Sequence, residues 1–145
     1  MNIKLVNTFD DRDLDSIYKT YHSVGWMNHN KDNIRSILKN STHVVFALHN
    51  DKVIGVGRAL SDGVFNAAIY DVIVRPEYQN LKIGSRIVND LLEQIGDVSC
   101  IHLISTSGKL DFYRKLGFSK LKTGMAIYQS EKLKIEYTES QFDII

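Results

Sequence analysis

Val72-Ile73-Val74-Arg75-Pro76-Glu77-Tyr78-Gln79-Asn80-Leu81-Lys82-Ile83-Gly84-Ser85 runs from an apolar strand through a polar loop into the start of a helix. Ile69, Val72, Ile73 and Val74 are too uniformly apolar for an edge strand and predict a central one. Pro76 stops the strand. Ile87, Val88, Leu91, Leu92 and Ile95 then recur at helical spacing, predicting a helix over 84–95 with one buried stripe. The first backbone N–H groups of such a helix have no intrahelical partner, and the helix dipole adds partial positive charge. That combination binds a pyrophosphate without a special side chain. Gly84 permits close backbone approach and Lys82 can add a cation. An ordinary strand–loop–helix connection has the same outline, so the stretch alone leaves both readings open.

Before this stretch the pattern is of strands. Residues 43–48, 52–60 and 64–74 are β-rich runs separated by turns at Asn50-Asp51 and Asp62-Gly63, which predicts an antiparallel meander. Earlier still, a short strand over 3–6 precedes a helix carrying Leu14, Ile17, Tyr18, Tyr21 and Val24 on one face. Asp10 or Asp11 caps that helix and Gly25 ends it. A second helix covers 32–39, with Ile34, Ile37 and Leu38 together.

Beyond the stretch, 101–105 is a short strand. A strand–helix–strand unit favours parallel pairing across the helix. Residues 110–116 form a short helix with Gly117 as its C-cap. Residues 118–121 and 125–129 resemble a closing hairpin with Gly124 near its turn. The tail, 130–145, is polar and charged apart from Ile135, Tyr137, Phe142 and the final isoleucines.

Composition narrows the class. A chain of 145 residues, 43% hydrophobic and 24% charged, suits one domain, 1–145, with a real core. A net charge of +1 gives no argument for nucleic acid, membrane surface or acidic partners. Cys100, the single cysteine, excludes an internal disulfide and reads as a small buried side chain in the apolar run 98–104. No secretory signal and no apolar run near the ~20 residues of a membrane helix is visible. The expectation is a soluble, cytoplasmic protein. His22, His29, His43, His49 and His102 show no metal-ligand spacing, so no metal is expected.

Phe112-Tyr113-Arg114-Lys115-Leu116-Gly117-Phe118 is a second motif. Together with Gln79 to Ser85 it resembles the two most recognisable motifs of the GNAT superfamily of N-acetyltransferases. There Gln/Arg-x-x-Gly-x-Gly/Ala follows the central strand and Phe-Tyr-x-x-x-Gly-Phe follows the next one. The resemblance covers roughly 3–129. Gly57 to Asp62, Phe65 to Val72 with its Tyr70-Asp71 pair, and Ser23-Val24-Gly25-Trp26 resemble bacterial relatives of plant serotonin N-acetyltransferases more narrowly. The resemblance implies an α/β (α+β) fold with a mixed six- or seven-stranded sheet, antiparallel N-terminal strands, splayed central strands and about four helices. It also implies acetyl-CoA as cosubstrate, held by Val72, Ile73, Val74, Gln79, Asn80, Leu81, Lys82, Ile83, Gly84 and Ser85. Lys82 departs from the family, which has glycine there. A left-handed φ would strain lysine by roughly 1 kcal/mol.

An alkyl amine with a pKa near lysine's is almost wholly protonated at neutral pH, and freeing its lone pair costs about 4 kcal/mol. A base therefore helps, and the departing thiolate benefits from an acid. The resemblance gives the acid role to Tyr113; a core tyrosine paired with Phe112 is the plainer reading. Asp71 is the candidate base. An acidic group in an apolar strand is costly to bury alone, so it either lines a polar cleft or pairs with a cation such as Arg58. Tyr70 alternates to the opposite face unless a bulge intervenes. Trp26 and Tyr70 are candidate acceptor-binding residues, although Trp26 also suits a core cap. The acceptor is expected to be a small-molecule amine; a protein N-terminus or lysine, or a cofactor-binding module without turnover, are the alternatives. Dimerisation stays open.

Overall fold

A computed structural model describes residues 1–139. The chain divides into two compact units, Met1–Ile104 and a second beginning at Ser105.

In the first unit the order is β1 (Lys4–Val6), α1 (Leu14–Ser23), α2 (Lys31–Lys39), β2 (His43–His49), β3 (Lys52–Ser61), β4 (Asn66–Val74), α3 (Ile83–Ile95) and β5 (Cys100–Leu103). The strands lie in that order across one sheet, antiparallel from β1 to β4, with β5 parallel to β4. Each predicted element of this unit is present within a few residues of its expected bounds. Local chemistry accounts for the boundaries. Asn30 caps α2 by accepting from Asn33 N. Asn50 and Asp51 both take left-handed φ, 51° and 61°, which closes the β2–β3 hairpin in two residues.

The sheet buries both faces. On one, Leu14, Ile17 and Tyr21 of α1 and Ile34 and Leu38 of α2 pack on Val44, Phe46, Val53, Val56 and Ile73. On the other, α3 buries Ile83, Ile87, Val88, Leu91 and Ile95. Gly55 and Gly57 of β3 make room for it: a Cβ at Gly57 would lie 2.6 Å from Ile87 Cγ2, and one at Gly55 2.9 Å from Ile87 Cδ1. Polar bonds fasten the same helix to β2. Asn7 Nδ2 and Gln94 Nε2 each donate to Asp90 Oδ1 at 2.7 Å and also to Val44 O.

The second unit holds α4 (Leu110–Lys115) and α5 (Glu131–Tyr137). Gly117, at φ 101°, ends α4: its N–H donates to Arg114 O (3.0 Å) and Phe118 N donates to Tyr113 O (3.1 Å). This is the paired C-terminal bonding that glycine at that position allows. Two expectations need correction. The closing hairpin does not form, and the sheet has five strands among the described residues rather than six or seven. Met125 and Ile127 alternate as in a strand, but they are 98% and 92% exposed, with no ladder partner and no apolar face to cover. The polar tail also supplies a fifth helix, capped by Ser130 accepting from Leu133 N (3.3 Å). Cys100 is exposed, not buried. It opens the edge strand β5, where alternation turns Cys100 and His102 outward and the half-buried Ile101 and Leu103 the other way.

Candidate active site

Three features of the first unit converge on the C-terminal half of β4. The first is the loop into α3. Arg75 anchors its start: Nε donates to Thr20 Oγ1 (3.0 Å), and Nη2 donates to Ser16 O and Val53 O (both 2.9 Å). Pro76–Tyr78 form one 3-10 turn. Gln79 Nε2 bonds back to Val74 O (2.9 Å). Asn80 and Lys82 both sit at φ 65°, and Lys82 is the N-cap of α3 without a side-chain cap bond. The left-handed conformation that the family's glycine would adopt easily is thus adopted by lysine, at a cost of roughly 1 kcal/mol. The first bond into the helix runs from Arg86 N to Lys82 O (3.2 Å). The N–H groups of Ile83, Gly84 and Ser85 therefore point outward without a partner among the described residues. Left-handed residues interleaved with ordinary ones gather successive N–H groups into an anion-binding concavity.

The second feature is where β4 and β5 part. Their ladder pairs Asn66–Ile69 with Cys100–Leu103 and goes no further. From Tyr70 to Val74 β4 stays paired with β3 on one side and, among the described residues, has no strand beside it on the other, which is an edge that an extended group can join by main-chain hydrogen bonds.

The third is a bulge. Arg58 opposes Tyr70 and Val56 opposes Ile73, so Gly57 alone faces both Asp71 and Val72. Asp71, at φ 55°, is the extra residue. The bulge turns Asp71 to the face of Tyr70, which strict alternation would forbid. Asp71 Oδ2 accepts from Arg58 Nε (2.7 Å) and from Tyr21 Oη (2.9 Å), with the two charged side chains 10% and 15% exposed. The ion pair with Arg58 is therefore formed. Arg58 also lies over the Tyr70 ring, 5.0 Å from its centre, while Tyr70 keeps 40% of its surface open. Burial first, and the Asp71 carboxylate second, push the Tyr21 phenol far above its usual 10.0.

Trp26 joins this group through Tyr21. Their rings meet edge-on at 5.9 Å, and His29 stacks on Tyr21 at 5.1 Å and lies 5.5 Å from Trp26. Trp26 is half-buried against the core and His29 Nδ1 is buried without a partner among the described residues, so the three rings form a wall beside the ion pair. Tyr21 was legible only as a core position; nothing in sequence signals a hydrogen bond to a residue fifty positions away. In the second unit Tyr113 is half-buried between Phe112 (4.9 Å) and Phe118 (5.7 Å), and burial raises its phenol pKa.

Comparisons with known proteins bear on the family and the fold. The chain is 33% identical over 122 residues to a histone acetyltransferase from Glycine max, covering 74% of this chain and 52% of that one. It is 30% identical over 137 residues to chloroplastic serotonin N-acetyltransferase 2 from Oryza sativa subsp. japonica, covering 88% and 68%. A GNAT family acetyltransferase structure from Streptococcus pneumoniae superposes with a TM-score of 0.77 at 27% identity, over 90% of this chain and 99% of that one. The chain spans from about a quarter to about two thirds of the length of the curated relatives it matches. Residues 12–118 match the profile of the acetyltransferase (GNAT) family, and the chain belongs to that family.

Proposed function

We propose that this chain is an N-acetyltransferase that moves acetyl from acetyl-CoA to a primary amine on a small molecule, by direct attack with both substrates bound. The observation that carries this reading is the uncapped start of α3, with Asn80 and Lys82 left-handed, next to the unpaired stretch of β4. The donor set fits acetyl-CoA: outward N–H groups suit a pyrophosphate, and a free strand edge suits an amide-bearing arm. In this reading Asn80 to Ser85 hold the pyrophosphate and Val72, Ile73 and Val74 hold the arm by backbone bonds. Gln79, bonded to Val74 O, braces the turn.

Asp71 uses Oδ2 for Arg58 and Tyr21, which leaves Oδ1 to take the ammonium proton, directly or through one water. The freed amine forms the C–N bond as the C–S bond breaks. Tyr113, kept protonated by burial, gives its proton to the departing sulfur, and the second proton released by the acetylated nitrogen returns through water to the phenolate. Tyr70 and Trp26 flank the acceptor. A small amine is supported by the relative named for serotonin. The relative named as a histone acetyltransferase favours a second reading, in which a protein lysine is the acceptor.

Isothermal titration with acetyl-CoA, followed by thiol release over arylalkylamines, polyamines and lysine peptides, tests both. We expect binding, loss of binding in a folded Gly84→Val variant, and turnover with one small-amine class. Unchanged binding by folded Gly84→Val would displace the cofactor site, and turnover with peptides alone would favour the second reading.

A further inference from the structure

Arg75 holds the start of the loop before α3 to α1 and to Val53 of β3, and Gln79 holds it against its own strand, but neither bonds to β2, the other arm of the hairpin. Tyr78 does. It ends the 3-10 turn one residue before Gln79, and its Oη lies 2.8 Å from His49 Nδ1, within hydrogen-bond distance. The two rings also meet edge-on at 5.4 Å. His49 is the last residue of β2, directly before Asn50-Asp51, whose paired left-handed φ values make a two-residue turn with little freedom. The bond therefore ties a loop with few internal hydrogen bonds to a rigid corner of the sheet.

From this geometry we propose that His49 and Tyr78 are positioning residues for the donor: their hydrogen bond fixes the pose of the turn from Gln79 to Ser85 that receives the pyrophosphate. Neither side chain needs to touch the donor. Their contribution is to spare the turn an ordering cost on binding, and the loss of one such bond corresponds to about fivefold in affinity. The inference rests on the acetyl-CoA reading above.

The test is titration of the parent and variants with CoA, alongside urea unfolding without CoA. Tyr78→Phe keeps the ring contact and removes only the hydroxyl; His49→Leu removes the imidazole. Each should raise the Kd for CoA about fivefold, and the double variant should be no weaker than either single one, because both remove the same bond. His49→Asn, whose amide can reach the position of Nδ1, should stay within about twofold of the parent. Two outcomes overturn the proposal: a folded Tyr78→Phe with the parent's Kd, even if its unfolding midpoint falls, or fully additive losses in the double variant. Should His49→Leu not fold, the comparison of Tyr78→Phe with His49→Asn decides. A parent protein that binds no CoA at all would instead bring down the acetyl-CoA reading itself, and this inference with it.

Discussion

Arg58 Nε donates to Asp71 Oδ2 at 2.7 Å across the place where Asp71 and Val72 together oppose Gly57. The pair is a structural tie beside the open edge of β4, and the proposed role of Asp71 as a base has to be separated from that tie by measurement.

Asp71→Asn should lower the unfolding free energy by ~3 kcal/mol or more, because it leaves the Arg58 guanidinium, 15% exposed, without its counter-charge. It should also reduce kcat/KM strongly at neutral pH and less at high pH, where free amine is abundant without help. Urea unfolding and a pH–rate profile read the two effects separately. A large stability loss with an unchanged rate would make Asp71 scaffolding and send the proton out through water.

Tyr21 sets an alkaline limit on the fold. Its phenol lies above the ordinary 10.0 in the folded protein, by burial first and by Asp71 next. As pH rises past 10 the unfolded chain loses this proton while the folded chain keeps it, so stability falls with pH there and not below about pH 9. Tyr21→Phe should flatten that fall between pH 10 and 11 in urea titrations. Equal slopes in parent and variant would mean that Tyr21 does not hold its proton.

Tyr113→Phe should cut kcat by ~10–100-fold, at or below the lower end of the usual general-acid effect, since a thiolate is already a fair leaving group. Affinity for CoA should barely move. Wild-type turnover in this variant, with chemistry shown to limit the rate, would take Tyr113 out of the mechanism.

Gly57→Ala should destabilise by ~1–3 kcal/mol, because the new methyl meets Ile87 Cγ2 at 2.6 Å and Leu91 Cδ1 at 3.1 Å. Gly124→Ala is the control: its methyl would find Leu121 Cδ1 at 3.5 Å, an ordinary contact, and should shift stability by less than about 0.5 kcal/mol. Equal midpoints for the two variants would mean that α3 can move off the sheet freely.

What sequence alone revealed follows from the range of the forces involved. The stripe Ile87, Val88, Leu91 and Ile95 and the turn Asn50-Asp51 are local signals, and the elements they predict are present. The left-handed φ of Lys82 was legible because a motif placed a lysine where glycine belongs. Pairings between distant residues were not. Tyr21 with Asp71 and His49 with Tyr78 depend on how strands and helices are layered, which periodicity does not encode. The misread hairpin at 118–129 shows the converse: alternation at Met125 and Ile127 predicts a strand only where a neighbour exists to pair with it.

The bulge in β4 bears on insertions and deletions. Take Asp71 away on paper and Tyr70, Val72, Ile73 alternate without a break, each still on the face it already occupies. The carboxylate is therefore a one-residue addition to a strand whose parity never depended on it. A chain shortened by that residue should keep its core contacts while losing the kink and the charge together, whereas a substitution at position 71 removes the charge and leaves the extra residue in place. Relatives aligned with a one-residue gap here would share the scaffold and lack the buried pair with Arg58.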